Sequence, residues 1–155
     1  MAKDRKPKTN VIFTIVRLLA PVLWMTLIFY LSSEGHAGSS GRSLPLAEWF
    51  GLPEWLIRKA AHFFLYFILG VLVMQAVMTF KKLNCGKTTL LAIAICVLFA
   101  ITDEWHQSWN PERSAQLTDI LLDSAASIIG VIVLYYTYEK ITHRRAHRPD
   151  KRRQV

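Results

Sequence analysis

Four runs of apolar residues leave this chain little choice but to live in a membrane: Val11 to Leu31, Leu56 to Phe80, Thr88 to about Gln107, and Leu117 to Tyr138. A helix needs about 20 mainly apolar residues to cross a bilayer, and each run supplies that length. A soluble helical bundle would carry a polar stripe down every helix, whereas Ala60 to Val77 offers only His62, Tyr66 and Gln75. The chain has 155 residues, 52% of them hydrophobic, which is room for one domain. The expected fold is therefore all-α: a polytopic membrane protein, an antiparallel four-transmembrane-helix bundle over residues 11–138. A basic N-terminus of residues 1–10 and a basic tail of residues 139–155 flank it.

The first run is longer than the apolar core of a typical signal peptide, about 7–15 residues. Ser32-Ser33-Glu34-Gly35-His36 offers no small-x-small cleavage site, so the run is read as a retained helix. Pro21 is placed to kink it, and Arg17 lies near enough its start to snorkel to the surface.

A net charge of +8 invites a nucleic-acid reading, but its distribution points elsewhere. Lys3, Arg5, Lys6 and Lys8 precede the first span, and Lys81, Lys82 and Lys87 sit between the second and third. Lys140, Arg144, Arg145, Arg148, Lys151, Arg152 and Arg153 follow the fourth. The other side holds only Arg42, Arg58, Lys59 and Arg113. This asymmetry predicts a multi-pass protein of the plasma membrane with both termini in the cytoplasm. The partner of the basic tail is then the bilayer's anionic headgroups, not nucleic acid. Cys85, read as part of the turn after the second span, and Cys96 are too far apart for a disulfide, about 16 Å at helical rise.

The long connection from Ser32 to Trp55 is predicted to face outward. Its Gly/Ser-rich first half, Ser32 to Gly41, reads as an irregular loop, and Leu44 to Trp55 as a short segment among the headgroups. Trp49, Trp55, Trp105 and Trp109 read as anchors at that interface, and Tyr135, Tyr136 and Tyr138 at the opposite one. Asn110-Pro111 marks a turn before the fourth span, which Thr118 or Ser114 is placed to cap.

Polar groups in hydrocarbon are costly, and here they gather at one end of the spans. Lys59, His62, Tyr66 and Gly70 make one stripe on the second span; Asp119, Asp123, Ser127 and Gly130 make another on the fourth. Glu104 and Gln107 share the last turns of the third. The stripes are expected to face one another around an outward-facing polar pocket, with Arg58, Lys59 and Arg113 balancing Glu104, Asp119 and Asp123. Arg58, Asp103 and Glu112, nearest the water, read as ion pairs that lock the helices together or as simply solvated. The candidate binding residues are Lys59, His62, Tyr66, Glu104, Gln107, Arg113, Asp119 and Asp123. No His-Glu-x-x-His or similar spacing supports a metal, and no cofactor is expected.

Taken together, these residues resemble the VanZ-like family of small bacterial membrane proteins. The resemblance rests on Phe29-Tyr30-Leu31-Ser32-Ser33, Arg58-Lys59-Ala60-Ala61-His62-Phe63-Phe64-Leu65-Tyr66 with Gly70, and Asp103-Glu104-Trp105-His106-Gln107. It continues through Pro111-Glu112-Arg113-Ser114 to Asp119, Asp123 and Gly130. Glu112 stands where the family often has Gly, and Ala126 where Gly is common. The resemblance implies a four-helix membrane protein, in a family named after a member linked to resistance to the glycopeptide antibiotic teicoplanin. It supplies no reaction.

Three functions remain open on the sequence. The pocket is expected to bind a lipid-linked, glycolipid or other cell-envelope component. An alternative is a membrane-embedded enzyme using Glu104 or Asp123 as base and His62 as acid or relay. A second alternative is a proton-coupled transporter, which so small a bundle supports only as an oligomer.

Overall fold

The computed structural model describes residues 11–33, 36–80, 85–109 and 116–146. Among them the chain forms five α-helices and no strand: α1 (Val11–Ser33), α2 (His36–Phe50), α3 (Glu54–Val77), α4 (Cys85–Gln107) and α5 (Leu117–Ala146). All but α2 are long and apolar enough to cross a membrane. The four spans alternate in direction along the chain, so α3 and α5 lie parallel, with Lys59 near the start of one against Asp119 near the start of the other. The protein is a helical membrane bundle.

The most extensive packing is between α3 and α5, then between α4 and α5. Small residues make this possible. A Cβ added at Gly70 would overlap the carbonyl oxygen of Ser127, and one added at Gly130 would overlap that of Phe67. Backbone therefore meets backbone, the arrangement that favours helix association where lipid removes the hydrophobic drive. Around this contact sit Tyr66, Leu69, Val73 and Met74 of α3, Ala92, Cys96 and Ala100 of α4, and Ala126 and Val131 of α5. Ala126, fully buried, fills its place in this packing without the glycine common in the family.

The first span lies at the edge of the bundle, exposing Ile12, Val16, Leu19 and Leu23 as a lipid-facing surface. It is held through Ile28, which is fully buried, and through the Trp24 indole N–H, which donates to the Leu65 carbonyl at 2.9 Å. Pro21 lies inside the helix and is buried, and Arg17 rests its guanidinium 4.2 Å from the centre of the Phe13 ring.

Three local expectations need correction. The Gly/Ser-rich stretch from His36 onward is not an irregular loop but the first turns of α2. This helix is closed at its C-terminus by Gly51, whose φ of 63° suits glycine. The amide of Leu52 then bonds back to the Ala47 carbonyl at 3.0 Å, and that of Gly51 to Glu48 at 3.3 Å, a Schellman ending. Buried Ala47, and Ser43 Oγ donating to Glu54 Oε1 at 2.9 Å, fasten α2 to α3, so tertiary contact overrides weak local propensity. Second, Thr118 lies within α5 and does not cap it. Gln116 holds the cap position, its carbonyl accepting from the amides of Asp119 and Ile120; Ser114 lies outside the described residues. Third, Cys85 is the first residue of α4 rather than part of a turn. Both cysteines are free. The last helix also runs past Tyr138 to Ala146, so the start of the basic tail is helical.

Candidate functional site

Helical spacing puts Lys59, His62 and Tyr66 on one face of α3, rising about 4.5 and 6 Å between successive members. Asp119 and Asp123 are one turn apart on α5. Because α3 and α5 run parallel, these residues pair like rungs. Lys59 Nζ donates to Asp119 Oδ1 at 2.7 Å. One step deeper, His62 Nδ1 lies 3.5 Å from Asp123 Oδ2. Deeper still, the Tyr66 hydroxyl donates to Asp103 Oδ2 of α4 at 2.9 Å. The side chains grow steadily drier along this line: Lys59 and Asp119 are 41% and 35% exposed, His62 and Asp123 27% and 3%, and Tyr66 and Asp103 both 0%. Beneath them, the backbone contacts at Gly70 and Gly130 leave no room between α3 and α5 and form a floor.

Asp103 is the hub of the buried end. Its Oδ2 accepts from Ser32 Oγ of α1, from Tyr66 Oη of α3 and from Gln107 Nε2 one turn on in α4, each at 2.9 Å. One carboxylate oxygen thus ties three helices with uncharged donors. Its other oxygen, Oδ1, is buried with no hydrogen-bond partner among the described residues, and so is Oδ1 of Asp123. Of the two expectations for Asp103, solvation does not hold; it does join helices, through uncharged donors rather than an ion pair. The buried stripe of α4 is Ala92, Cys96, Ala100, Asp103 and Gln107, a run of small residues that the two polar side chains continue. That spacing of four, four, three and four was the available signal. Ser32, read as the start of the irregular loop, belongs to α1, and its role was missed with that of Asp103.

Glu104 is also buried, but its visible role is local. Its Oε1 accepts the backbone N–H of Gln116 at 2.6 Å, binding the end of α4 to the start of α5. Among the described residues Arg58 pairs not with the interior carboxylates but with Glu54 on its own helix, at 3.6 Å, a partly exposed pair of small energetic weight. Arg113 and Glu112 lie outside the described residues. Around the site, the rings of His62 and Tyr66 stack at 6.5 Å, and Tyr66 lies 6.0 Å from Phe99. Trp49, Trp55, Trp105 and Trp109 are all largely exposed near this end, and Trp105 meets Trp109 edge-on.

Of the eight candidate residues, Lys59, His62, Tyr66, Gln107, Asp119 and Asp123 lie along one continuous polar seam, with Glu104 at its side. Among the described residues no group of three His, Cys, Asp or Glu side chains is arranged to hold a metal ion. Chemically, the seam offers a carboxylate–imidazole pair close to solvent and, below it, carboxylate oxygens with unused acceptor capacity.

No curated protein and no solved structure matches the chain. A family model described as VanZ/LLP1 matches residues 17–138. That stretch contains every residue of the seam, from Ser32 to Asp123, and the chain belongs to the VanZ/LLP1 family.

Proposed function

We propose that this VanZ/LLP1 protein sits in the plasma membrane with both termini in the cytoplasm and binds a lipid-linked or other cell-envelope component in the polar seam, from the outer face. The orientation follows from the lysines and arginines, which crowd the end of the spans away from the seam. A single observation carries the binding reading: the graded series from half-exposed Lys59–Asp119 through His62–Asp123 to fully buried Asp103. Buried ion pairs alone are a weak device for holding helices together. Here the deepest carboxylates also keep an oxygen without a partner among the described residues, where a purely structural network would satisfy both.

The test is native mass spectrometry of protein purified in nanodiscs, comparing the wild type with Asp123→Asn and Glu104→Gln. Both substitutions preserve shape and most hydrogen bonding while removing charge. A co-purifying lipid or glycolipid that is lost from Asp123→Asn, with folded yield unchanged, supports the reading. Lower stability in both variants, with no ligand in the wild type, refutes it. Glycopeptide susceptibility of a deletion strain, teicoplanin included, tells whether the family's antibiotic association extends to this chain. For orientation, a cysteine at Ser40 in a Cys85/Cys96-free background reacts with an impermeant reagent outside intact cells, whereas one at Gln154 does not.

A second reading, an enzyme acting on an envelope precursor, is favoured by the His62–Asp123 pair, in which a partly exposed imidazole faces a buried carboxylate. Against it, Ser127, the candidate nucleophile on the same face, donates its hydroxyl to the Ser124 carbonyl, and no base pairs with it among the described residues. Turnover of a co-purified ligand that stops with His62→Gln would favour the enzyme over simple binding.

A further inference from the structure

Four carboxylates, Asp103, Glu104, Asp119 and Asp123, stand within electrostatic reach of one another at the end of the bundle. Among the described residues, the positive charge set directly against them is one lysine, Lys59 on Asp119, and one imidazole, His62 against Asp123, charged only when protonated. Among the described residues, Asp103 receives its hydrogen bonds from hydroxyl and amide groups, and Glu104 receives one from a backbone N–H. Among the described residues, the carboxylates outnumber the positive charges set directly against them. Two oxygens mark where the shortage falls: Asp103 Oδ1 and Asp123 Oδ1, on residues 0% and 2% exposed, both without a partner among the described residues. They belong to different helices, and both aspartates influence Tyr66 electrostatically, Asp103 also accepting its hydroxyl.

We infer that this pair of aspartates receives a primary ammonium group, with Oδ1 of each accepting one of its three N–H donors. The inference rests on the binding function proposed for the seam and names the chemistry its ligand presents there. Three features select an ammonium. The unused positions are carboxyl oxygens placed to accept hydrogen bonds, and an ammonium is a donor only. Two single oxygens on separate helices suit a compact point charge with rotatable donors better than the planar fork of a guanidinium. A metal ion is the poorer fit, because no trio of suitable ligands is arranged for one among the described residues. The route in runs past Lys59, His62 and Asp119, the partly exposed members of the seam. An amine on the headgroup of an aminophospholipid and an amine on a soluble envelope molecule present the same group.

The experiment uses the full chain in nanodiscs of phosphatidylglycerol doped with either phosphatidylethanolamine or its N-acetylated form, which lacks the cationic nitrogen. Native mass spectrometry reads the retained lipid. In parallel, melting is followed in detergent with hexylammonium chloride or hexanol. The wild type is expected to retain phosphatidylethanolamine and not the N-acetyl form, with retention about tenfold weaker in Asp123→Asn, the scale of one charge-assisted hydrogen bond. Stabilisation by hexylammonium without selective retention of phosphatidylethanolamine supports the ammonium site and assigns its ligand to a soluble source. Asp103→Asn is a second variant, and Asp123→Asn carries the result if the hub variant fails to fold. Equal binding of amine and N-acetyl probes, or amine binding undiminished in Asp123→Asn, overturns the inference. An amine-free envelope lipid that co-purifies and is lost in Asp123→Asn overturns the ammonium assignment while leaving the binding pocket intact. Loss of folded Asp123→Asn with no ligand on the wild type overturns both.

Discussion

Replacing Gly130 by alanine sets two effects of known sign against each other. Alanine is the better helix former by about 1 kcal/mol, so on an isolated α5 the change is stabilising. In the bundle the new methyl group would overlap the Phe67 carbonyl oxygen and crowd its carbonyl carbon and the Val71 nitrogen, at 3.1 and 3.2 Å. None of these is the end of a flexible side chain, so relief requires α3 and α5 to move apart as bodies. A radial gap of about 0.5–1 Å forfeits a quarter to a half of the dispersion energy of each contact it opens. That loss runs along the most extensive interface in the protein, and overpacking costs of about 1–3 kcal/mol are typical even in cores that adapt. The packing term therefore outweighs propensity, and a net loss of about 1–2 kcal/mol is expected after the helix gain is subtracted. Equilibrium unfolding in mixed dodecylmaltoside–SDS micelles measures it. Gly86→Ala is the control, because a Cβ there meets nothing within 4 Å, and its stability is expected to be unchanged or slightly higher. A Gly130→Ala protein as stable as the wild type, or more so, would refute the claim that backbone contact holds α3 to α5.

Tyr66→Phe removes one of three donors to a fully buried carboxylate oxygen, and a loss of about 1–3 kcal/mol is expected in the same unfolding assay. Ser32→Ala removes another, and because both donors serve Asp103 Oδ2 the double variant should depart from additivity; additive losses would show that the hub is not one network. Gly51→Ala forces a side chain into the left-handed conformation that closes α2, at a cost of about 1–2 kcal/mol per residue. Faster amide exchange confined to α2 is the expected result, and unchanged exchange would mean that the Schellman ending contributes little.

Span lengths and the stripes on α3 and α5 were legible because helical periodicity acts on residues in one continuous segment: once Lys59, His62 and Tyr66 are on a helix, their shared face follows. Asp103 was not. Its neighbour Glu104 carries the same charge, and local reasoning could not rank the two by depth. The difference is about 100° of rotation around α4, enough to aim Asp103 at Tyr66 and Ser32 and Glu104 at the start of α5. Those partners lie 37 and 71 residues away for Asp103 and 12 for Glu104, distances over which sequence pattern carries no pairing information. The helix at His36–Phe50 was hidden for a related reason, since its serines and glycines argue for a loop and its support comes from Glu54 on the next element.

The order in which the seam's partners occur along the chain bears on how the protein is made. Ser32 and Tyr66 precede Asp103, Lys59 precedes Asp119, and His62 precedes Asp123. Synthesis runs from the N-terminus, so each of these aspartates emerges into a membrane where its donors on α1 and α3 are already present. The carboxylates that would be hardest to leave in lipid arrive last. A helix carrying Asp103 or Asp123 need never wait unpaired for a later segment, and moving α1 or α3 to the C-terminal end of the chain would impose that wait without altering a single contact of the finished fold.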